Sequence, residues 1–277
     1  MLRALFFIVL PLCLSACIAK DDEDDILNDQ GETVADPTLR LNGLWNGQLD
    51  QAGALRTLIY NGNLFAFDDT LAYYGTVSLT EEDAAMSATL TAYSYSSTDT
   101  GADQRVAGGT GTSYEFWGLL YPTTEADDTL VGDYEGGSNV GSFLLADDGT
   151  WTTRSSLTSI RGQWGATGYD LYLTEVNGEL SFREVSSTVA GCTSRGTMEV
   201  VDSAVNLYRV QMAERKNCNG FNVTNAPGYA TVNADGDLEW FIRRDSQLFY
   251  ARFNPATSTD TTDTTDETAD DSEETTE

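Results

Sequence analysis

The chemistry open to this chain is limited first by a residue it lacks: its 277 residues include no histidine. Ser-His-Asp and Cys-His nucleophilic catalysis are excluded, and so are His-ligated metals. No phosphate-binding loop or dinucleotide fingerprint is present. Gly108-Gly109-Thr110-Gly111 lacks the Lys-Ser/Thr pair that would reach a phosphate, so it reads as a flexible loop. Two carboxylates can hydrolyse a glycoside, but the 44 acids fall mostly in tails and turns and no pair stands apart. Asn233, Asp235, Asp237 and Glu239 offer alternate oxygens of the kind calcium takes. Gly236, however, falls at the fourth place of that run, not the sixth of an EF-hand loop, so a hairpin turn is expected there. Asp147-Asp148-Gly149 reads the same way. The chain is therefore expected to be no enzyme and to need neither cofactor nor metal.

The start of the chain carries a different kind of chemistry. Arg3 precedes an apolar run from Leu5 to Leu14, too short for the roughly 20 helical residues that span a bilayer. It closes on Leu14-Ser15-Ala16-Cys17, which resembles the bacterial lipobox. The resemblance implies that residues 1–16 are a lipoprotein signal peptide, cleaved before Cys17, and that Cys17 is the lipidation site. Several buried acyl chains, at about 0.8 kcal/mol per methylene, would make the membrane a lasting partner. Ile18, where Asp would retain the protein at the inner membrane, implies the outer membrane of a Gram-negative bacterium.

Of the four cysteines, Cys13 leaves with the signal and Cys17 is taken by lipid, so Cys192 and Cys218 remain. An even pair in an oxidising compartment is expected to form a disulfide, worth roughly 3–4 kcal/mol on the chain-entropy model. No Cys-x-x-Cys spacing favours a redox or metal-binding pair.

The net charge of −29 is uneven. Residues 17–36 carry eight acids against Lys20 and read as an acidic tether, too poor in apolar surface to fold alone. Residues 254–277 carry nine acids and no base and read as a disordered Thr/Asp/Glu tail. Such a balance argues against nucleic acid as a partner, since that needs clustered Lys and Arg.

Between the tails one pattern occurs twice. Gly43-Leu44-Trp45 leads to Asn61-Gly62, and Gly162-Gln163-Trp164 leads to Asn177-Gly178, with the Trp residues 119 positions apart. Asn-Gly between apolar runs favours a type I′ hairpin. Eight short strand-like runs are read in the first half, from Leu39–Leu49 to Val140–Leu145. Eight more follow in the second, from Ile160–Trp164 to Gln247–Phe253. With no helical stretch, they predict an all-β chain of two tandem eight-stranded up-and-down barrels from an internal duplication, over residues 37–153 and 158–253. A single 16-stranded pore is the rival, but the runs lack its lipid-facing alternation and aromatic girdles.

Gly-x-Trp on the first strand of such a barrel is similar to lipocalins and their relatives. The resemblance implies that Trp45 and Trp164 plug the closed ends. Barrels this short fill their interiors with side chains, which shifts attention to outer surfaces. Ser96–Gly111, the longest loop of the first half, lies beside Tyr93, Tyr95 and Tyr114 and is the expected binding loop. The functional expectation is a membrane-anchored, non-enzymatic interaction module whose partner is an envelope protein or glycan. A small apolar ligand held in a barrel mouth is the alternative.

Overall fold

A computed structural model describes residues 36–50, 53–96, 103–122, 128–176 and 178–256. Before Pro37 it also gives a two-residue antiparallel pairing of Ile26–Leu27 with Thr33–Val34. The lipobox with Cys17, Asn177 and the tail beyond residue 256 lie outside the described residues.

From Pro37 the chain folds as two closed eight-stranded antiparallel barrels in tandem. The first is built from β1 (Gly43–Leu49), β2 (Gly53–Tyr60), β3 (Asn63–Phe67), β4 (Leu71–Leu79) and β5 (Ala85–Ser94), then β7 (Thr112–Tyr121), β8 (Thr129–Gly136) and β9 (Asn139–Asp147). Each pairs with the next, and β9 closes on β1 from Asp147↔Trp45 to Phe143↔Leu49. The turn between β2 and β3 has Asn61 at φ 46° and Gly62 at φ 70°, the doubly positive backbone of a type I′ turn. One face of each strand supplies the interior: Leu64 and Ala66 of β3, Met86, Ala88 and Leu90 of β5, and Phe116, Tyr134 and Phe143 opposite them.

The second barrel runs from β10 (Gly162–Ala166) and β11 (Tyr169–Val176) through β12 (Glu179–Ser186), β13 (Thr193–Val200), β14 (Tyr208–Lys216) and β15 (Val223–Val232) to β16 (Leu238–Arg244) and β17 (Gln247–Pro255). It closes on only two residue pairs, Trp164↔Pro255 and Gly165↔Asn254. The rest of the β17 edge, Gln247 to Ala251, is paired by β6 (Gln104–Gly108), a strand from the first half. The expected loop Ser96–Gly111 is therefore not one free loop. Val106 packs into the second core, Ala107 lies between the barrels, and Tyr95 forms an isolated bridge to Ala107.

The two barrels share a third apolar cluster. Leu58, Phe65, Phe67 and Ala72 on the outside of the first meet Phe241, Leu248 and Tyr250 of the second. Phe67 lies 5.2 Å from Tyr250 and 6.0 Å from Phe241, ring centre to ring centre. This contact explains why β3, β16 and β17 read as near-continuous apolar runs: strands buried on both faces lose the alternation of a half-exposed sheet. Thr57 is buried among apolar neighbours, whereas Glu239 is buried against Arg56 and Asn233, and Ser194 against Glu184 and Arg215.

Candidate functional site: a groove between the barrels

The two Trp residues occupy equivalent places. Trp45 Nε1 donates to Leu41 O at 2.9 Å, and Trp164 Nε1 to Ile160 O at 2.8 Å. Each acceptor sits on a short helical turn before the first strand of its barrel, Pro37–Leu41 and Leu157–Ile160. Both indoles are buried in their barrel cores. Cys192 and Cys218 form a disulfide with Cα atoms 4.5 Å apart, stapling the start of β13 to the chain just after β14.

The tyrosines expected at a binding loop are not on display. Tyr114 is in the first barrel's interior, where its hydroxyl accepts from Asn139 Nδ2 at 2.9 Å. Tyr93 is buried in the inter-barrel cluster. Tyr95 places its hydroxyl 2.7 Å from Asp68 O and 2.9 Å from Leu71 O, and burial pushes its phenol up. The Asn233–Glu239 run is a hairpin turn in which Asn233 Oδ1 accepts from the backbone of Asp235 and Asp237. Among the described residues no group of three or more Asp, Glu or Cys side chains is placed to hold a metal ion.

The first barrel's interior offers little room where it is described. The apolar cavity of the first, lined by Leu55, Thr57, Tyr73, Met86 and Phe143 among others, measures about 20 Å³. In the second, Arg215 and Glu184 form a fully buried ion pair. Ser194 donates to Glu184, Arg215 Nη1 donates to Ser194 Oγ at 2.7 Å, and Arg215 Nη2 donates to Gln104 Oε1 at 3.1 Å. The Arg215 guanidinium also covers the Phe249 ring at 4.5 Å. Gln104 and Val106 of β6 thus fill the second barrel from the side of the first.

Among the described residues, open space of about 540 Å³ is lined by Arg154, Arg161, Trp164 and Tyr208, and two further spaces border the shared cluster. One cleft, of about 500 Å³, is largely occupied with its own charges. Arg56 donates through Nε to Glu239 at 2.7 Å and through Nη1 to Asp148 at 2.8 Å. Burial alone would lower the Arg56 pKa, but the two carboxylates outweigh it and raise it.

The other is a groove of about 320 Å³, lined by Asn63, Phe65 and Tyr74 from the first barrel and by Arg209, Tyr229, Arg243 and Arg244 from the second. Phe65 and Tyr74 are cross-strand neighbours whose rings meet edge to face at 4.9 Å. Tyr229 faces Arg209 across one strand pair and Phe241 across the other. Its phenol is pushed up by burial and then by the Tyr60 ring hydroxyl beside it. Gly228 forms the wall between them; a Cβ there would lie 2.4 Å from Phe241 O, so the close approach of β15 to β16 needs glycine. Arg243 stacks on Tyr74 with its guanidinium carbon 4.0 Å from the ring centre. Its Nε is buried without a hydrogen-bond partner, and no carboxylate among the described residues pairs with it. The sequence concealed this groove because its two walls lie some 140 to 180 residues apart and only the packing of one barrel on the other joins them. The one local hint was a doubled arginine, Arg243-Arg244, in an acidic chain.

A second outward feature is an apolar row on the first barrel, where Leu119, Val131 and Leu144 are consecutive cross-strand neighbours and all exposed. Trp117 and Tyr121 flank Leu119 on the same face of β7.

No family model matches the chain, and no curated protein matches it. Among solved structures, Aeromonas veronii immune modulator A aligns over 76% of this chain and 93% of its own, at 10% identity and a TM-score of 0.32, a level at which neither fold nor function carries over.

Proposed function

We propose that this chain is an envelope lipoprotein, anchored through Cys17 to the outer membrane, that works as a non-enzymatic interaction module and presents the inter-barrel groove to its partner. The observation that carries this reading is the contrast in space. A cavity of about 20 Å³ in the first barrel has room for about one water molecule. The outward groove of about 320 Å³ sits at the lower end of the roughly 300–1,000 Å³ used by small-molecule sites. A ligand carried inside the first barrel would need the larger figure. In the groove, aromatic side chains and arginine, the residue types that dominate binding hot spots, stand side by side.

Two variants test the two halves of this reading. Cys17→Ser should leave the precursor uncleaved or release the protein from the membrane fraction; normal maturation and retention would remove the anchor. The full chain and its Arg243→Ala, Arg209→Ala double variant should then be cross-linked in cells and compared. Loss of captured envelope material, with an unchanged strand-type circular dichroism spectrum, is the expected outcome. An unchanged capture pattern would move the working surface away from the groove.

A further inference from the structure

We infer that the groove binds a carboxylated pyranose, taken either as a free acidic monosaccharide or as one unit of an acidic glycan. The inference rests on the interaction reading above and gives its groove a ligand class. Three of the chain's fifteen basic residues, Arg209, Arg243 and Arg244, line this groove against one carboxylate, Asp245. Arg244 is matched to Asp245 at 3.5 Å, and Arg209 to the exposed Glu199 at 2.7 Å. Arg243 has no such match, and its stacking on Tyr74 holds the planar fork in place before any ligand arrives. A preoriented guanidinium without a counter-ion is a receptor for a carboxylate or another oxyanion, which it takes through two parallel hydrogen bonds.

Charge also limits which anion enters. The chain as a whole carries a net −29. A field of that sign penalises every polyanion, an acidic glycan included, and a single carboxylate least. The body of the ligand follows from the floor. Phe65 is buried and Arg243 covers one face of Tyr74, so Tyr74 and the half-buried Tyr229 supply the apolar surface, whose negative faces suit the polarised C–H face of a sugar ring. The Tyr74 hydroxyl donates to Asn63 Oδ1 at 3.1 Å and Asn63 Nδ2 to Asn61 O at 3.1 Å, which leaves the Tyr74 oxygen as an acceptor and the Tyr229 hydroxyl for sugar hydroxyls. A volume of about 320 Å³ admits one or two rings and not an extended chain.

Isothermal titration of the full mature chain with galacturonate, trigalacturonate, galactose, inorganic phosphate and a tetraglutamate peptide tests this. An acidic sugar should bind, galactose about tenfold or more weaker, and Arg243→Gln should weaken the acidic sugar by about tenfold or more, the loss expected of a charge-assisted pair. Arg243→Lys, which keeps the charge but not the fork, should recover only part of that. Tighter binding of trigalacturonate than of galacturonate supports the glycan as the source, and equal binding supports the free sugar. Phosphate or the peptide binding more tightly than either acidic sugar would overturn the inference, as would acidic-sugar binding that Arg243→Gln leaves unchanged. Capture of an envelope partner that depends on Arg243, with no acidic sugar bound, would overturn this ligand class and leave the interaction reading standing.

Discussion

At the scale of single residues, the buried charges are where a substitution should speak most clearly. Arg215 and Glu184 are paired in the second barrel's interior and share Ser194 and Gln104 as hydrogen-bond partners, while Arg215 Nε is buried without one. Taking away one member strands the other, so Arg215→Met should cost roughly 3–5 kcal/mol in urea unfolding. Adding Glu184→Leu to that variant should recover most of the loss; a double variant no more stable than the single would show that the pair contributes more than mutual neutralisation. Asp103 offers a test in pH. Burial alone would raise its pKa, but the hydroxyl and backbone N–H of Thr167 and the guanidinium of Arg252 outweigh it and hold it below the usual value. A carboxyl depressed in the folded state stabilises fully above its unfolded pKa of about 3.9, and that contribution fades as pH falls through the lower folded value. Asp103→Asn should therefore flatten the acid limb of a stability–pH curve and leave it parallel to wild type above about pH 5. Single residues were also where the sequence was most legible. The paired Trp residues and the Cys192–Cys218 bridge were readable because each declares itself by type and spacing. Arg243 was not, since its meaning depends on a ring, Tyr74, that arrives from the other barrel.

At the scale of elements, all sixteen barrel strands coincide with strand-like runs in the sequence, with ends differing by a few residues. β6 does not, and the reason is physical. Gln104–Gly108 holds one β-branched residue, Val106, between Ser/Thr/Gly-rich flanks, and five such residues carry little intrinsic strand preference. They become a strand because β17 would otherwise face water along Gln247 to Ala251, where β10 no longer reaches it. An unpaired edge is a standing invitation to foreign strands. Replacing Gln104–Gly108 by a Gly-Ser linker should consequently leave the first barrel's melting unchanged while lowering the second's and promoting its self-association. Sedimentation and a domain-resolved hydrogen-exchange map would show it, and an unaltered second barrel would mean that β6 only decorates the edge.

At the scale of the molecule, the duplication read from Gly-x-Trp and Asn-Gly is realised as two barrels that are not independent beads. Phe65 and Phe67 pack on Phe241 and Tyr250, and Arg56 reaches Glu239 across the same boundary. Phe241→Ala should cost about 3–5 kcal/mol, as expected for emptying a well-packed aromatic site, and should disturb both barrels in an exchange experiment although the residue belongs to one. Residues 158–253 expressed alone should lack β6 and expose Leu248 and Tyr250, and should be less stable than the same barrel in the full chain. β6 also imposes an order of events. A chain that emerges from its N-terminus first releases Gln104–Gly108 long before Gln247–Pro255, the strand it pairs with. The first barrel can close around the insertion as soon as Asp147 is out. The second must stay open until the final strand appears and captures a segment made more than a hundred residues earlier. Maturation of this protein therefore ends as it began in space, at the seam, and a stop codon anywhere before Gln247 would leave β6 without its partner however complete the first barrel.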